Sequence, residues 1–192
     1  MSTLTIRTLR LDDASQLFTF EQDNRAWFER HIDARPADFY GPAGIDLHIE
    51  QLLLQHAQGG MHPCIVLDEH GRLVGRANLK DIDRRAQTAE VGYRIGQRQA
   101  GKGLATAALR RLIALAREEW QLTRLHAYAI DGNAASVRVL ERCGFVQGAP
   151  VSGIAMVAGH TVDGHAFALE LAPGLPCLPG TEIERQATPH AA

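Results

Sequence analysis

The feature that most constrains the fold of this chain is a strand pattern, a glycine-rich loop and a helix pattern in direct succession. AEVGYRI (residues 89–95) has the apolar alternation of a β-strand, and QRQAGKGLA (residues 97–105) holds the two glycines of a tight loop. A helix is predicted to begin near Gly103. One face of that helix is apolar and consists of Leu104, Ala108, Leu112 and Leu115.

The loop at residues 97–105 is predicted to bind a phosphate group. The first turn of a helix leaves backbone N–H groups without partners and carries the positive end of the helix dipole, so it favours anions. Gly101 and Gly103 let the backbone approach a phosphate closely. Arg98 and Lys102 can add positive charge at the rim of the loop.

Two well-known phosphate-binding motifs are excluded by the residues of this loop. A P-loop needs GxxxxGK followed by Ser or Thr, whereas Gly103 is followed by Leu104. The dinucleotide fingerprint needs a third glycine where Thr106 stands, and it also needs an upstream strand–helix–strand order that this sequence lacks. What remains is the pattern R-x-x-G-x-G after a strand.

The patterns along the rest of the chain predict one mixed α/β domain without internal repeats. Strands are expected at residues 3–10, at 63–82 as a hairpin around DEHGR, at 124–130, from 144–147 onward and at 161–171. Helices are expected at residues 14–23, 44–58 and 131–145, and a helical turn followed by a loop at 24–40. Residues 1–172 form the predicted domain, and the proline-rich residues 173–192 form a predicted extended or disordered tail.

A second block, DGNAASVRVLERCGF at residues 131–145, gives the loop a family context. With EVGYRIGQRQAGKGLATAALRRLIALA it resembles the acyl-CoA-binding segments of the GNAT superfamily of N-acetyltransferases. LVGRANLKDID resembles the strand that precedes the cofactor segment in that family. The resemblance runs from about Leu4 to Leu171 and is strongest from Glu90 to Phe145. The N-x-x-S helix and NRAWFER resemble the branch that includes acetyltransferases of ribosomal-protein N-termini, although many members of this branch act on other amines.

The resemblance implies a single-domain GNAT fold, with a mixed, mostly antiparallel sheet of about six to seven strands, splayed in the middle and flanked by helices. It also implies acetyl-CoA as the cosubstrate, lying beside the strand at residues 91–95. The backbone of that strand would pair with the pantetheine amides, and the N–H groups of residues 99–105 would hold the pyrophosphate. The implied cofactor-binding residues are Val91, Tyr93, Arg94, Ile95, Arg98, Gln99, Ala100, Gly101, Lys102, Gly103, Leu104, Ala105, Asn133, Ser136 and Arg138.

Three residues are candidates for the chemistry of acetyl transfer, which must remove a proton from the amine and supply one to the leaving thiolate. The resemblance suggests Glu90 as the base, although a solvated glutamate at a strand end is an equal interpretation. Ser136 is the candidate donor to the sulfur, because Val139 and Cys143 occupy the region where many members carry a tyrosine. Asp163 is the third candidate, with a surface hairpin position as its alternative. Asn133 is also an expected helix N-cap.

The acceptor side is predicted from the aromatic N-terminal segment and the last strand. His31, Arg35 and Tyr40 fall where this superfamily usually covers the acceptor, and His165 has a pKa range suited to proton transfer. For each of these residues, a packed or exposed structural role is an equal or better interpretation. The acceptor itself stays open between a protein N-terminus and a small amine such as an amino acid, a polyamine or an antibiotic. A non-catalytic acyl-CoA sensor on the same fold is the alternative to an enzyme.

The composition of the chain bears on its partners and its cellular location. Its 192 residues carry a formal charge of −2, which argues against nucleic acid as the main partner. The three cysteines, Cys64, Cys143 and Cys177, are typical of reduced thiols in a cytoplasmic protein, and neither a membrane span nor a metal motif is expected. The last strand, if exposed, could pair two copies as a homodimer.

Overall fold

In the computed structural model of the chain, residues 4–32 and 34–171 are described, and they form seven strands and four α-helices. The strands are β1 (Thr5–Thr8), β2 (His62–Leu67), β3 (Leu73–Asp83), β4 (Thr88–Ile95), β5 (Arg124–Ile130), β6 (Val146–Val157) and β7 (His160–Glu170). The helices are α1 (Ala14–Phe28), α2 (Pro42–Ala57), α3 (Leu104–Glu118) and α4 (Ala134–Arg142). The predicted tail at residues 173–192, which includes Cys177, lies outside the described residues.

The seven strands form one sheet in the order β1-β2-β3-β4-β5-β7-β6. Every neighbouring pair is antiparallel except β4 and β5, which are parallel. These two strands pair only over three positions, from Thr88 opposite Arg124 to Glu90 opposite His126. Beyond Glu90 they separate, while β4 stays paired with β3 as far as Ile95. The predicted α/β fold, with a mostly antiparallel sheet splayed in the middle, is confirmed.

Helices cover both faces of the sheet, as the alternation of side chains along β2 shows. Ile65 and Leu67 pack into one apolar cluster with α1 and α2, whereas Cys64 and Val66 pack into a second cluster with α3 and α4. All six residues of β2 are therefore buried. This three-layer arrangement fixes α1 and the first turns of α3 and α4 at the edges of the gap between β4 and β5.

The N-terminal helix is longer than the sequence predicts. It was expected to end at residue 23 with only a helical turn beyond, but α1 continues to Phe28. Phe20 and Phe28 are both buried in the core, and Arg25 forms an ion pair with Glu29 one turn later. The burial of the two phenylalanines, with this local ion pair, extends the helix into a segment whose own pattern is irregular. A short 3-10 helix follows at Ala37–Tyr40.

The last two strands form a long hairpin whose arrangement corrects one expectation. A strand was predicted from residues 144–147 onward, and β6 extends to Val157 through register shifts between Gln147 and Pro150 and between Val151 and Ala155. The final strand β7 was considered as an exposed edge, but β5 and β6 cover both of its sides. The idea of an exposed last strand was wrong because β7 lies between β5 and β6, which leaves β6 as the edge strand.

Candidate functional site

A cavity of about 330 Å³ opens where β4 and β5 separate. Its walls come from the end of α1, the end of β4, the loop after it, and the first turns of α3 and α4. Among the predicted site residues, the cavity is lined by His31, Tyr93, Arg94, Ile95, Gln99, Ala100, Gly101, Gly103, Leu104, Ala105, Asn133, Ser136 and Arg138. Residues far apart in the sequence thus meet at one opening.

The glycine loop forms the floor of this cavity. Gly101 and Gly103 have φ angles of +78° and +81°, a left-handed conformation that favours glycine, and a Cβ at either position would project into open space. Gly103 is the N-cap of α3, so the N–H groups of the first helical turn point into the cavity region without helical partners. Within the described residues, the N–H groups of Gly101 and Gly103 donate no hydrogen bond. The loop therefore offers an anion several free donors.

A hydroxyl pair, formed by Tyr93 of β4 and Ser136 at the start of α4, also lines this cavity. The Tyr93 hydroxyl lies 3.1 Å from Ser136 Oγ and 3.3 Å from the Ser136 carbonyl oxygen, so its single proton can be donated to either oxygen. The Ser136 N–H donates to Asn133 Oδ1 at 3.1 Å, so Asn133 is the N-cap of α4. The cap and the tyrosine together fix the position of the serine hydroxyl.

Burial raises the pKa of Tyr93 to about 12, and the hydrogen bond to Ser136 opposes that shift. Tyr93 is therefore a protonated phenol at neutral pH. It can donate to Ser136 Oγ while the serine proton points elsewhere, towards the cavity. The resemblance implied Tyr93 only as a cofactor-binding residue, because the region where many family members carry a tyrosine lies on α4 and not on β4.

The end of α1 closes a third side, and sequence reasoning missed its main residue. Trp27 Nε1 donates to the Ile95 carbonyl oxygen at 3.1 Å, which ties α1 to the last residue of β4. The Trp27 ring also meets the His31 ring edge-on, with centroids 6.3 Å apart. The sequence shows NRAWFER as an aromatic segment, but its contact with β4 is visible only in the folded chain.

Several predicted site residues lie outside the cavity lining. Glu90 forms an ion pair with Lys80 Nζ at 2.5 Å, at the position where β4 leaves β5. Asp163 Oδ1 accepts the Gly153 N–H at 2.8 Å, and His165 Nδ1 lies 3.4 Å from Asp131 Oδ1 beside a second depression. Arg35, Tyr40, Val91, Arg98 and Lys102 also lie outside that lining.

Tyr40 and Arg94 make contacts that bear on the acceptor side of the site. Tyr40 is buried and donates to Glu29 Oε1 at 3.3 Å. The Arg94 side chain is directed to the buried carboxylate of Glu21, so its guanidinium approaches α1. The structure thus places a positively charged group between the cavity and the N-terminal helices.

Residues 4–32 and 34–171 contain no group of three or more His, Cys, Asp or Glu side chains that could hold a metal ion. Within the same part of the chain, no helix has the length and apolar character needed to cross a membrane. Cys64 and Cys143 are free thiols.

Comparison with known proteins places the chain among acetyltransferases. Residues 3–146 match the family model described as the acetyltransferase (GNAT) domain. The chain is 32% identical to Bacillus subtilis (strain 168) "Probable N-acetyltransferase YjcK", over 74% of this chain and 80% of that protein. It is 26% identical to the Escherichia coli (strain K12) [ribosomal protein uS5]-alanine N-acetyltransferase, over 74% of each.

A solved structure supports the same fold. The microcin C7 self-immunity acetyltransferase MccE, crystallised with acetyl-CoA and AMP, superposes with a TM-score of 0.80 over 88% of this chain and 92% of that one. The two sequences are 22% identical. At that identity the superposition establishes the shared architecture.

Proposed function

Since this chain belongs to the GNAT family of N-acetyltransferases, we propose that it transfers an acetyl group from acetyl-CoA to a primary amine. The amine attacks the thioester directly in a ternary complex, so no covalent enzyme intermediate is needed. The observation that carries this proposal is that an anion-binding loop and a hydroxyl pair line one cavity.

The loop supplies the binding of the cosubstrate. Free N–H groups at Gly101, Gly103 and the first turn of α3 suit a pyrophosphate, as at other helix N-termini. On the β5 side, β4 is unpaired beyond Glu90, so alternate backbone groups between Val91 and Ile95 are open to the pantetheine amides. Arg98 and Lys102, both exposed beside the loop, add positive charge near the phosphates.

Ser136 is proposed to assist the leaving group. Its hydroxyl donates a hydrogen bond to the sulfur as the carbon–sulfur bond breaks, and Tyr93 donates in turn to Ser136 Oγ. A serine hydroxyl is a weak acid, so this help is a hydrogen bond and not complete proton loss. The nitrogen–carbon bond forms as the carbon–sulfur bond breaks. The ammonium loses two protons in all: one is balanced by the proton that the released thiolate takes from water, and the other passes to solvent by way of Glu90.

Glu90 is proposed to receive the proton of the amine, directly or through water. It lies at the point where the two central strands part, and its Oε1 accepts a hydrogen bond from Lys80 Nζ. Asn78 and Gly92 are the next cross-strand pair along the same face of the sheet. Asn78 Oδ1 is buried and accepts no hydrogen bond within the described residues, so it is available to an ammonium group.

The proposed acceptor is the α-amine of a protein N-terminus, as in the named reaction of the Escherichia coli relative. The residues predicted for the acceptor side are His31 and Tyr40, which follow α1 in the chain, and Asp163 and His165, which lie on β7. A cytoplasmic location fits such an acceptor. The domain at residues 1–172, its tail and a homodimer stay predictions.

The experiment is a panel of acceptors with acetyl-CoA at a fixed concentration, followed by the release of free thiol. N-terminal peptides, amino acids, polyamines and an aminoglycoside form the panel. Turnover of peptides above the small amines supports the proposal, and the reverse order assigns a small-molecule acceptor. Binding of acetyl-CoA without turnover on any amine assigns the alternative function of an acyl-CoA sensor.

A further inference from the structure

A buried ionic cluster lies between the sheet and the two N-terminal helices. Glu21 of α1 is 1% exposed, and its Oε1 accepts from Arg76 Nη1 at 3.0 Å and from Arg94 Nη2. Arg76 and Arg94 are cross-strand partners on β3 and β4. Arg76 Nη2 also lies 3.1 Å from His48 Nε2 of α2. One carboxylate therefore serves two guanidinium groups.

A third arginine adds to this cluster, and no carboxylate in the described part of the chain forms an ion pair with it. Arg35 follows α1, and its guanidinium carbon lies 4.7 Å from the centre of the Phe39 ring. Its Nε is buried and unpaired, and within residues 4–32 and 34–171 the Arg35 side chain forms no hydrogen bond or ion pair. Its charge is close enough to lower the pKa values of Arg76 and Arg94, after the larger effect of burial.

The cluster thus carries an excess of positive charge. Glu21 forms ion pairs with Arg76 and Arg94, and Arg35 adds a third positive charge near these two arginines. Burial and the charge of Arg76 lower the pKa of His48 to about 3, so His48 is neutral. Positive groups held near each other out of water are unfavourable unless an anion compensates them. Planar guanidiniums bind carboxylates through paired hydrogen bonds.

Arg94 also lines the cavity of about 330 Å³ described above, as do Phe28 and His31. We propose that Arg35 and Arg94 bind an acidic side chain of the acceptor, so that the preferred substrate is a peptide with Asp or Glu close to its N-terminus. This inference rests on the proposed acetyl transfer to an α-amine and specifies which N-termini are acetylated.

The register of β3 and β4 favours a peptide over a free amino acid. Glu90, the proposed base, precedes Arg94 by four positions on one strand, which is about 13 Å at the usual rise of a strand. The α-carboxylate of an amino acid lies two bonds from its amine and cannot span that distance. An acidic side chain at the second or third position of an extended peptide can approach it.

The test compares kcat/KM for matched peptides that begin Ser-Asp-Asp and Ser-Asn-Asn, with free aspartate as a third acceptor. The wild-type protein is expected to favour the acidic peptide by about tenfold, the ratio that one hydrogen bond between charged groups supports. Free aspartate is expected to react far more slowly than the acidic peptide. Equal rates for the two peptides, or faster reaction of free aspartate, would overturn the proposal.

Two variants identify the source of the preference. In Arg35→Gln the ratio of the two peptides is expected to fall towards one, and Arg35→Lys, which keeps the charge, is expected to retain part of it. Arg117→Gln, an exposed change in the last turn of α3, is the control and should keep the wild-type ratio.

Two further results would be read differently. If Arg35→Gln weakens acetyl-CoA binding as much as it weakens use of the acidic peptide, the cluster serves the cofactor and the proposal fails. If neither peptide nor any other amine reacts, the proposed function itself fails. The absence of any reaction can be distinguished from failure of the acidic preference alone, in which both peptides react at equal rates.

Discussion

At the scale of single residues, Tyr93 and Ser136 are the pair on which the proposed chemistry depends most. Neither residue alone indicates a catalyst, since a buried tyrosine on a strand and a serine in a first helical turn are common structural features. Their hydroxyl oxygens lie 3.1 Å apart only because β4 and α4 meet at the gap in the sheet. The pair therefore supplies a polarised hydroxyl at the position proposed for the sulfur.

Ser136→Ala is expected to lower kcat by about ten- to a hundredfold, at the lower end of the effect of a general acid, because the serine acts by hydrogen bonding. The KM for acetyl-CoA should change little. Tyr93→Phe is expected to lower kcat less, and the double variant should resemble Ser136→Ala, since both changes remove one network. Steady-state kinetics at saturating acetyl-CoA measure this. Unchanged kcat in Ser136→Ala would remove the serine from the mechanism.

Gly103→Ala is expected to weaken coenzyme A binding at least tenfold. Gly103 has φ +81°, so alanine there costs about 1–2 kcal/mol, and its methyl group would enter the space proposed for the pyrophosphate. Titration calorimetry with coenzyme A measures the change.

Gly71→Ala is the matched control for this loop. Gly71 lies in the β2–β3 turn with φ +73°, and its added methyl group would also meet nothing within 4 Å. Both variants should therefore lose similar stability, while only Gly103→Ala loses coenzyme A affinity. Equal affinities in the two variants would contradict the assignment of the loop.

Some residues of the site could be predicted from the sequence, and others become apparent only in the folded chain. Gly101, Gly103, Asn133 and Ser136 belong to short linear patterns with a local physical meaning, a loop before a helix and a helix cap. Trp27 belongs to no such pattern, because its role depends on a hydrogen bond to Ile95, 68 positions away. Contacts of that kind follow from packing, and the sequence alone offered only an aromatic-rich segment.

At the scale of elements, the same contrast appears between α3 and β6. The apolar face of α3 repeats at helical spacing, so its start, its orientation and its buried residues could be predicted. β6 contains Gly148, Pro150 and Gly153, which normally interrupt a strand. Because β6 is an edge strand with two register shifts, it tolerates these residues, and its full length could not be predicted.

The short helix α4 depends on its cap, which gives a prediction at this scale. Asn133→Ala is expected to lower the free energy of unfolding by about 1 kcal/mol, because the Ser136 N–H loses its acceptor. Asn133→Ser keeps a capping oxygen and should restore most of that stability. Urea denaturation measures both.

The activity of the same variants separates capping from cofactor contact. If Asn133→Ser restores stability but not coenzyme A affinity, Asn133 also contacts the cosubstrate as predicted. No loss of stability in Asn133→Ala would contradict the capping role.

At the scale of the whole molecule, the sheet is both the structural core and the origin of the site. Two apolar clusters, one on each face, hold the strands in place, and the site opens where the parallel β4 and β5, paired over three positions, diverge. The order of strands and helices predicted this arrangement only through the family resemblance. Strand periodicity by itself does not specify which neighbours separate.

Stability should depend on pH through two histidines, the buried His62 and the half-buried His48. His62 of β2 accepts the Trp120 Nε1 N–H at Nδ1 and donates from Nε2 to Thr8 Oγ1, both at 2.8 Å. A second proton on Nδ1 would oppose the Trp120 donor, so we regard His62 as neutral although Glu119 Oε2 lies 3.9 Å away.

Burial, and then the charges of His56 and Arg111, lower the pKa of His62 to about 4. The pKa of His48 is lowered to about 3.

The direction of the pH effect follows from these two values. Both histidines have a pKa near 6.5 when unfolded, so below that pH the unfolded chain binds more protons than the folded one. The free energy of unfolding should therefore fall as pH decreases from about 6.5 towards 4, by up to about 1.4 kcal/mol per pH unit for each histidine. Urea denaturation between pH 7.5 and 5 stays above most carboxylate titration. The slope should decrease in His62→Gln and remain in His160→Gln, whose histidine is exposed. An unchanged slope in His62→Gln would show that the neutral buried form of His62 does not control acid stability.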